Sequence, residues 1–252
     1  MNRIYWDIDK IAMLTDHMDA TAHSHGMIQF FLCLEGNLQI KAAGEIRVCP
    51  CIAVNQNVRH SFRAGSKRHL TIVFDPMSPM GIRLSWLMEG APCWIFGEAD
   101  VQALLPPALA MVQTFDADTY HRFIKALHGV LQADPPAPMD DRIRELLAIL
   151  EHCDCHEHAI ERYADTLCLS PSRLSHLFSE QAGISLKSYL TLHQLQRAFR
   201  DILQGSSITD AAMNAGFDSP SHFASTVKRL IGVPARATVK DSEFLKVYGS
   251  PM

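Results

Sequence analysis

One short run of residues occurs twice in the last third of the chain. Ser170-Pro171-Ser172-Arg173-Leu174 and Ser219-Pro220-Ser221-His222-Phe223 share a Ser-Pro-Ser start, with a large apolar residue four places after the first serine. Each copy reaches a glycine thirteen places after that serine, Gly183 and Gly232. A serine hydroxyl can accept a hydrogen bond from a free amide at a helix start, and proline at the first helical position lacks only an amide that would be unpaired anyway. Both runs therefore read as capped helix N-termini. Helical spacing then buries Leu174, Leu177 and Phe178 in the first copy and Phe223, Val227 and Leu230 in the second. Ser172, Ser175, His176 and Ser179 face outward in one copy, and Ser221, Ser225 and Lys228 in the other.

Each copy follows a helical stretch and a tight turn, at 159–169 and at 208–218, where Gly216 suits a left-handed turn position. Helix, short turn and capped helix with a polar outer face is the helix-turn-helix arrangement, whose second helix enters the DNA major groove. An ordinary helical bundle competes with this reading for one copy; two copies with matching caps and glycines weigh against it. Residues 185–204 read as a single connecting helix, about 30 Å long at 1.5 Å per residue. One turn of DNA is about 34 Å, so such a rod could set two recognition helices in successive major grooves. The chain has 23 Lys and Arg against 27 Asp and Glu, a formal net charge of −4. Any attraction to a polyanion must come from local positive charge.

The first hundred residues have a different texture. Residues 30–34, 38–42, 45–49 and 69–74 are short runs rich in β-branched or aromatic residues, punctuated by Gly36-Asn37, Ala43-Gly44 and Gly65-Ser66. They predict strands of a barrel or jelly roll. Residues 101–113 and 118–132 predict helices, and the run from Asp134 to Met139 breaks the chain. After it Ile143, Leu146, Leu147 and Leu150 share a helical face. The expected fold class is α+β in two domains, 1–133 with strands then helices and 134–252 all-α. No stretch of 18 or more apolar residues predicts a membrane span, and the acidic N-terminus is unlike a signal peptide. A cytoplasmic protein is expected, with its seven cysteines as reduced thiols. The tail from 241 onward yields no reading.

The segment from about 140 to 237 resembles the DNA-binding domain of AraC/XylS-type regulators. The markers are Tyr163-Ala164, Leu169-Ser170-Pro171-Ser172, Leu174-Ser175, Phe178, Gly183, Tyr189-Leu190, Ala198, Gly216-Phe217, Ser219, His222-Phe223, Lys228 and Gly232. Three positions depart from the family pattern: Gln194 for Arg, Val227 for Phe and Ala235 for Pro. The resemblance implies base reading by Ser172, Ser175 and His176 in the first motif and by Ser221, His222 and Ser225 in the second. Arg173, Lys228 and Arg229 are the implied phosphate contacts. It further implies a homodimer, supported by the helices at 101–132, that activates transcription through RNA polymerase and is not an enzyme.

His23-Ser24-His25, Gln29 and Gly36 resemble the first signature of cupins, with Gln where Glu is usual. Gly44, Pro50 and His60 resemble the second with stretched spacing. Residues two apart on a strand face one way, so His23, His25, Gln29, Phe31 and Cys33 are expected to line the barrel. AraC-type regulators often carry such a barrel as their effector domain. His23, His25, Gln29, Phe31 and His60 are therefore the expected effector-binding residues. His23, His25, Gln29 and His60 could instead hold a divalent metal such as zinc. A second metal or redox group is offered by Cys153, Cys155, His156 and His158 within the run His152–His158, and a third by Cys33, Cys49 and Cys51. A polar joint at a helix end is the plainer reading of that run. Three accounts remain open on sequence: a regulator with an organic effector, a metal- or redox-responsive regulator, and a cupin-type metalloenzyme.

Overall fold

The computed structural model describes residues 2–16, 19–131, 139–151, 159–231 and 242–247. The chain divides into two compact units, Met1–Pro136 with Arg229–Met252, and Ala137–Lys228.

The first unit is organised by one strand, β4 (Ile28–Cys33), which is buried at all six positions. Alternate side chains of a strand point to opposite faces, so a strand apolar on both faces must be covered twice. Ile28, Phe30 and Leu32 belong to one core and Phe31 and Cys33 to another. Around it run β1 (Asn2–Trp6), β2 (Lys10–Thr15), β7 (Cys51–Val54), β9 (His69–Phe74), β10 (Cys93–Ile95) and β11 (Ser242–Lys246). Together they form a seven-stranded sheet of order β10-β7-β4-β9-β2-β1-β11. A four-stranded sheet of order β3-β8-β5-β6 uses β3 (Ala20–His23), β5 (Leu38–Ala42), β6 (Glu45–Cys49) and β8 (His60–Arg63).

The core that holds Phe31 takes Ile52 and Val54 from the larger sheet, and Leu38, Ile40 and Phe62 from the smaller. The two sheets thus share an interior. The opposite face of the larger sheet packs on three helices, α1 (Pro79–Met88), α2 (Glu98–Gln113) and α3 (Ala117–Val130). Leu84, Leu104, Tyr120, Phe123 and Leu127 supply the helical side of that core, with Tyr5 stacked on Tyr120 at 5.2 Å.

The strands read at 38–42, 45–49 and 69–74 have those bounds, the one read at 30–34 runs Ile28–Cys33, and the two helices run Glu98–Gln113 and Ala117–Val130. Helix α1 lies within the stretch read as strands. Leu84 and Met88 give it a buried stripe one turn apart, and Ser78 Oγ caps it by accepting from the Gly81 amide at 3.0 Å. The tail, which offered no reading, contains β11. It pairs parallel with β1, places the buried Val247 in the sheet–helix core, and adds a 3.4 Å Arg3–Glu243 ion pair.

The second unit is helical. It contains α4 (Asp141–Glu151), α5 (Ile160–Thr166), α6 (Pro171–Ala182), α7 (Leu186–Leu203), α8 (Ile208–Asn214) and all but the last three residues of α9 (Pro220–Ile231). Of the four residues expected on one face of α4, Ile143, Leu146 and Leu150 are buried and Leu147 is half-buried. The capping serines act as expected. Ser170 Oγ accepts from the Arg173 amide at 3.2 Å, and Ser219 Oγ from the His222 amide at 3.1 Å. Gly183 ends α6 in the left-handed region at φ +67°. Leu174 and Phe178, and Phe223 and Val227, are fully buried. No helix among the described residues is long and apolar enough to cross a membrane.

Candidate functional site

Helices α6 and α9 each present a polar face near the N-terminus. On α6, Ser172, Arg173 and His176 are exposed and Ser175 is half-buried. On α9, Ser221, His222, Ser225, Lys228 and Arg229 are exposed. Every side chain expected to touch DNA therefore has access to solvent on one of these two helices. Leu230 and the stretch with Gly232 and Ala235 lie outside the residues whose side chains are described.

Each of these helices carries a histidine paired with a carboxylate one turn away. His176 Nδ1 lies 3.1 Å from Glu180 Oε1, and His222 Nδ1 lies 3.1 Å from Asp218 Oδ2. A carboxylate accepts only, so it holds the proton on Nδ1 and leaves Nε2 directed away from the pair. The sequence reading named the histidines and missed the carboxylates. For His176 and Glu180 the signal was present, since residues four apart lie side by side on a helix, whereas Asp218 lies in the turn before α9.

The connecting helix α7 is an 18-residue element, about 27 Å long, close to the expected rod. Gln194 on it, the departure from the family's Arg, donates through Nε2 to the Gly216 carbonyl at 3.3 Å. That carbonyl sits in the turn between α8 and α9, so the amide ties the rod to the second helix pair.

The second candidate site lies in the first unit. His23, His25, Gln29 and His60 are all buried, with relative exposures of 7%, 4%, 6% and 2%. One ring nitrogen from each histidine lies within 4.8 Å of the other two. The pleat brings only part of this set together. Gln29 and Phe31 share a face of β4, and His23 pairs with His60 between β3 and β8. His25 lies between β3 and β4, off both strands, and the pairing of β3 is irregular. The connection from the smaller sheet to the larger supplies His25, where strand alternation was expected to do so. Phe31 lies deeper, 4.8 Å from Phe62 between ring centroids, in the apolar core between the sheets.

The histidines are oriented by the backbone. Nδ1 of His23 lies 2.7 Å from the Thr21 carbonyl, and Nδ1 of His60 lies 2.9 Å from that of Val58. Nδ1 of His25 is 3.0 Å from the Met27 carbonyl and 3.3 Å from the Met27 amide. Carbonyls can only accept, so His23 and His60 carry their proton on Nδ1, and their Nε2 lone pairs point into the cluster. Gln29 Oε1 lies 2.8 Å from His60 Nε2 and 3.1 Å from His25 Nε2, while His23 Nε2 has no hydrogen-bond partner. Burial pushes His25 down to about 3, with the other two histidines adding to the shift, and pushes His60 down to about 4. His23 is lowered by burial too. The three rings are therefore neutral near pH 7.

The sulfur groups are separated. Cys33 and Cys49 lie in the inter-sheet core and Cys51 in the sheet–helix core. Burial raises the Cys49 thiol to about 11 and the Cys51 thiol well above its ordinary value, which leaves both protonated. The run His152–His158, with Cys153, Cys155, His156 and His158, lies outside the described residues.

Residues 163–241 match the family model described as a helix-turn-helix domain. The chain is 36% identical over 99 residues to the arabinose operon regulatory protein of Escherichia coli, covering 38% of this chain and 33% of that protein. It thus spans about one third of the length of that relative. It is 19% identical over 228 residues to the HTH-type transcriptional regulator NimR of Escherichia coli, covering 86% of this chain and 81% of NimR. Its fold is similar to that of ToxT from Vibrio cholerae, with a TM-score of 0.58, 11% identity and coverage of 91% of this chain and 97% of ToxT. The AraC-type resemblance carried by the motifs of the helical segment is borne out by these matches.

Proposed function

We propose that this chain, with an AraC-type helix-turn-helix domain in its C-terminal third, is a sequence-specific DNA-binding transcriptional regulator. The observation that carries the reading is the pair of capped helices, α6 and α9. Each buries one stripe and exposes a histidine, serines and at least one cation near its start. In this reading α5–α6 and α8–α9 are the two helix-turn-helix motifs of a helical domain that stops short of the expected boundary at 252, because β11 in the tail pairs with β1 in the sheet of the first unit. Ser172, Ser175, His176, Ser221, His222 and Ser225 face base edges, and Arg173, Lys228 and Arg229 face phosphates. Serine and histidine discriminate bases less sharply than arginine or asparagine, so DNA shape contributes to site choice.

The domain at 1–133 is read as a cupin-like sensor. An effector reaches the surroundings of His23, His25, Gln29, Phe31 and His60 and alters promoter binding or contact with RNA polymerase, in a cytoplasmic homodimer joined through the helices at 101–132. The relatives named above carry regulator names, which supports this account over an enzymatic one.

The test is to sequence the genomic DNA that the purified chain retains at physiological salt. A few discrete promoter sites are expected. Retention no different from bulk DNA, with and without reductant and metal, would overturn the reading.

A further inference from the structure

Helices α6 and α9 carry their histidines at different places in the repeat. His176 stands six places after Ser170, and His222 three places after Ser219. The carboxylates differ too, since Glu180 follows its histidine by four residues and Asp218 precedes its own by four. Yet both pairs join the same ring atom, Nδ1, to a carboxylate oxygen at 3.1 Å. The pairs are therefore not copies carried by the repeat. They also add little to stability, because their side chains are exposed, at 70% and 54% for His176 and Glu180 and 46% and 90% for His222 and Asp218. What they fix is the proton. In a neutral ring, an Nδ1–H held by a carboxylate leaves Nε2 with a lone pair, so each imidazole presents an acceptor to whatever faces it.

On α9 two more contacts set that group. The His222 ring meets the buried Phe217 edge-on, with centroids 5.5 Å apart and planes at 76°. Ser225 Oγ donates to the His222 carbonyl at 2.9 Å, which commits its proton to the backbone and leaves its oxygen as an acceptor. His222 and Ser225 thus accept, while the exposed donors Lys228 and Arg229 are cations suited to phosphate.

We propose that Glu180 and Asp218 are positioning residues that make His176 and His222 readers of exocyclic amino groups, adenine N6 or cytosine N4, in the major groove. Guanine offers N7 and O6 there and thymine offers O4, all acceptors, which oppose an Nε2 lone pair. Adenine or cytosine over guanine or thymine, on the contacted strand, is the preference that follows at the position of each histidine. Without the carboxylate the ring can carry its proton on Nε2 and become a donor, and the preference turns towards guanine. The proposal deepens the DNA-binding reading and rests on it for the partner; the position of the proton does not depend on it.

The test has one arm without DNA. Long-range proton–nitrogen NMR of the full chain at about pH 8, above the ordinary range of histidine, distinguishes a protonated ring nitrogen from a bare one. His176→Ala and His222→Ala assign the signals. Nδ1–H with bare Nε2 is expected for both rings, and Glu180→Ala and Asp218→Ala are each expected to shift the proton towards Nε2 in their own histidine alone. In the second arm the full chain selects from random DNA. The selected duplex is then remade, at the position that His222→Ala relaxes, with a base lacking the amine: purine for adenine or pyrimidinone for cytosine. This change is expected to weaken binding by the parent about fivefold and to leave His222→Ala and Asp218→Ala unaffected. A proton on Nε2 or on both nitrogens of the parent rings, or guanine or thymine selected at both positions, would overturn the proposal. So would an unchanged base preference in Asp218→Ala and Glu180→Ala with only overall affinity reduced, which is what a purely structural pair gives. No selected sequence for the parent, with the Nδ1–H form present, would overturn the DNA-binding reading and the proposal with it.

Discussion

Cys168 and Gly216 hold the same position in the two helix pairs. Both lie in the left-handed region, at φ +54° and +86°. Both precede a residue whose amide bonds back five residues, Leu169 to the Ala164 carbonyl at 2.9 Å and Phe217 to the Ala212 carbonyl at 3.1 Å. The turn is therefore the same, and only one copy fills it with a residue free of strain there. A side chain with a Cβ costs roughly 1–2 kcal/mol in that conformation, part of which glycine returns through its greater freedom when unfolded. Cys168→Gly is expected to stabilise the chain by about 1 kcal/mol, and Gly216→Ala to destabilise it by a similar amount. Urea unfolding of the two variants checks this; a change of the same sign in both would refute the shared turn.

Gln194 gives a second test of the helical unit. Its hydrogen bond to the Gly216 carbonyl is partly buried, so Gln194→Leu should cost about 0.5–1.5 kcal/mol. The loss should show as faster amide exchange around Gly216 and Phe217, with α5 and α6 unaffected.

The two kinds of residue on α6 and α9 should separate in DNA binding. Arg173→Ala and Lys228→Ala are expected to weaken binding to all sequences alike and to reduce the slope of log K against log salt by about one each. His176→Ala and His222→Ala should shift the preferred base at one position each, worth about 1–3 kcal/mol of discrimination. Selection from random DNA measures both. An unchanged preferred site in both histidine variants would leave DNA shape as the source of specificity.

The histidine cluster makes the metal-free chain sensitive to acid. His25 titrates near 3 and His60 near 4 when folded, against about 6.5 when unfolded. Between those values the unfolded chain binds protons that the folded chain refuses. Stability is therefore full above about pH 6.5 and is lost as the pH falls through 5 towards 4. Thermal melts of chelator-treated protein at pH 7.5, 5.5 and 4.5 are expected to show that loss. It should be smaller in His25→Gln and His60→Gln, which have no proton to refuse.

Much of the helical unit was legible in the sequence because its signals are local. A serine cap, a proline beside it and apolar residues three and four apart are fixed within one turn of chain, so α6, α7 and α9 and their buried faces follow directly. The paired carboxylates Glu180 and Asp218 are equally local, each four positions from its histidine.

The amino-acid sequence by itself also determined which residues could form the second site, since His23, His25, Gln29 and His60 stand out by chemistry alone. Only the tertiary structure decided that they meet. His60 reaches Gln29 across a separation of 31 residues, and His25 joins from the connection between the two sheets, which no alternation rule describes. The same holds for β11, whose place beside β1 depends on backbone hydrogen bonds between residues 240 apart in the chain. Backbone pairing between distant strands uses groups that every residue carries, so it leaves little trace in side-chain identity.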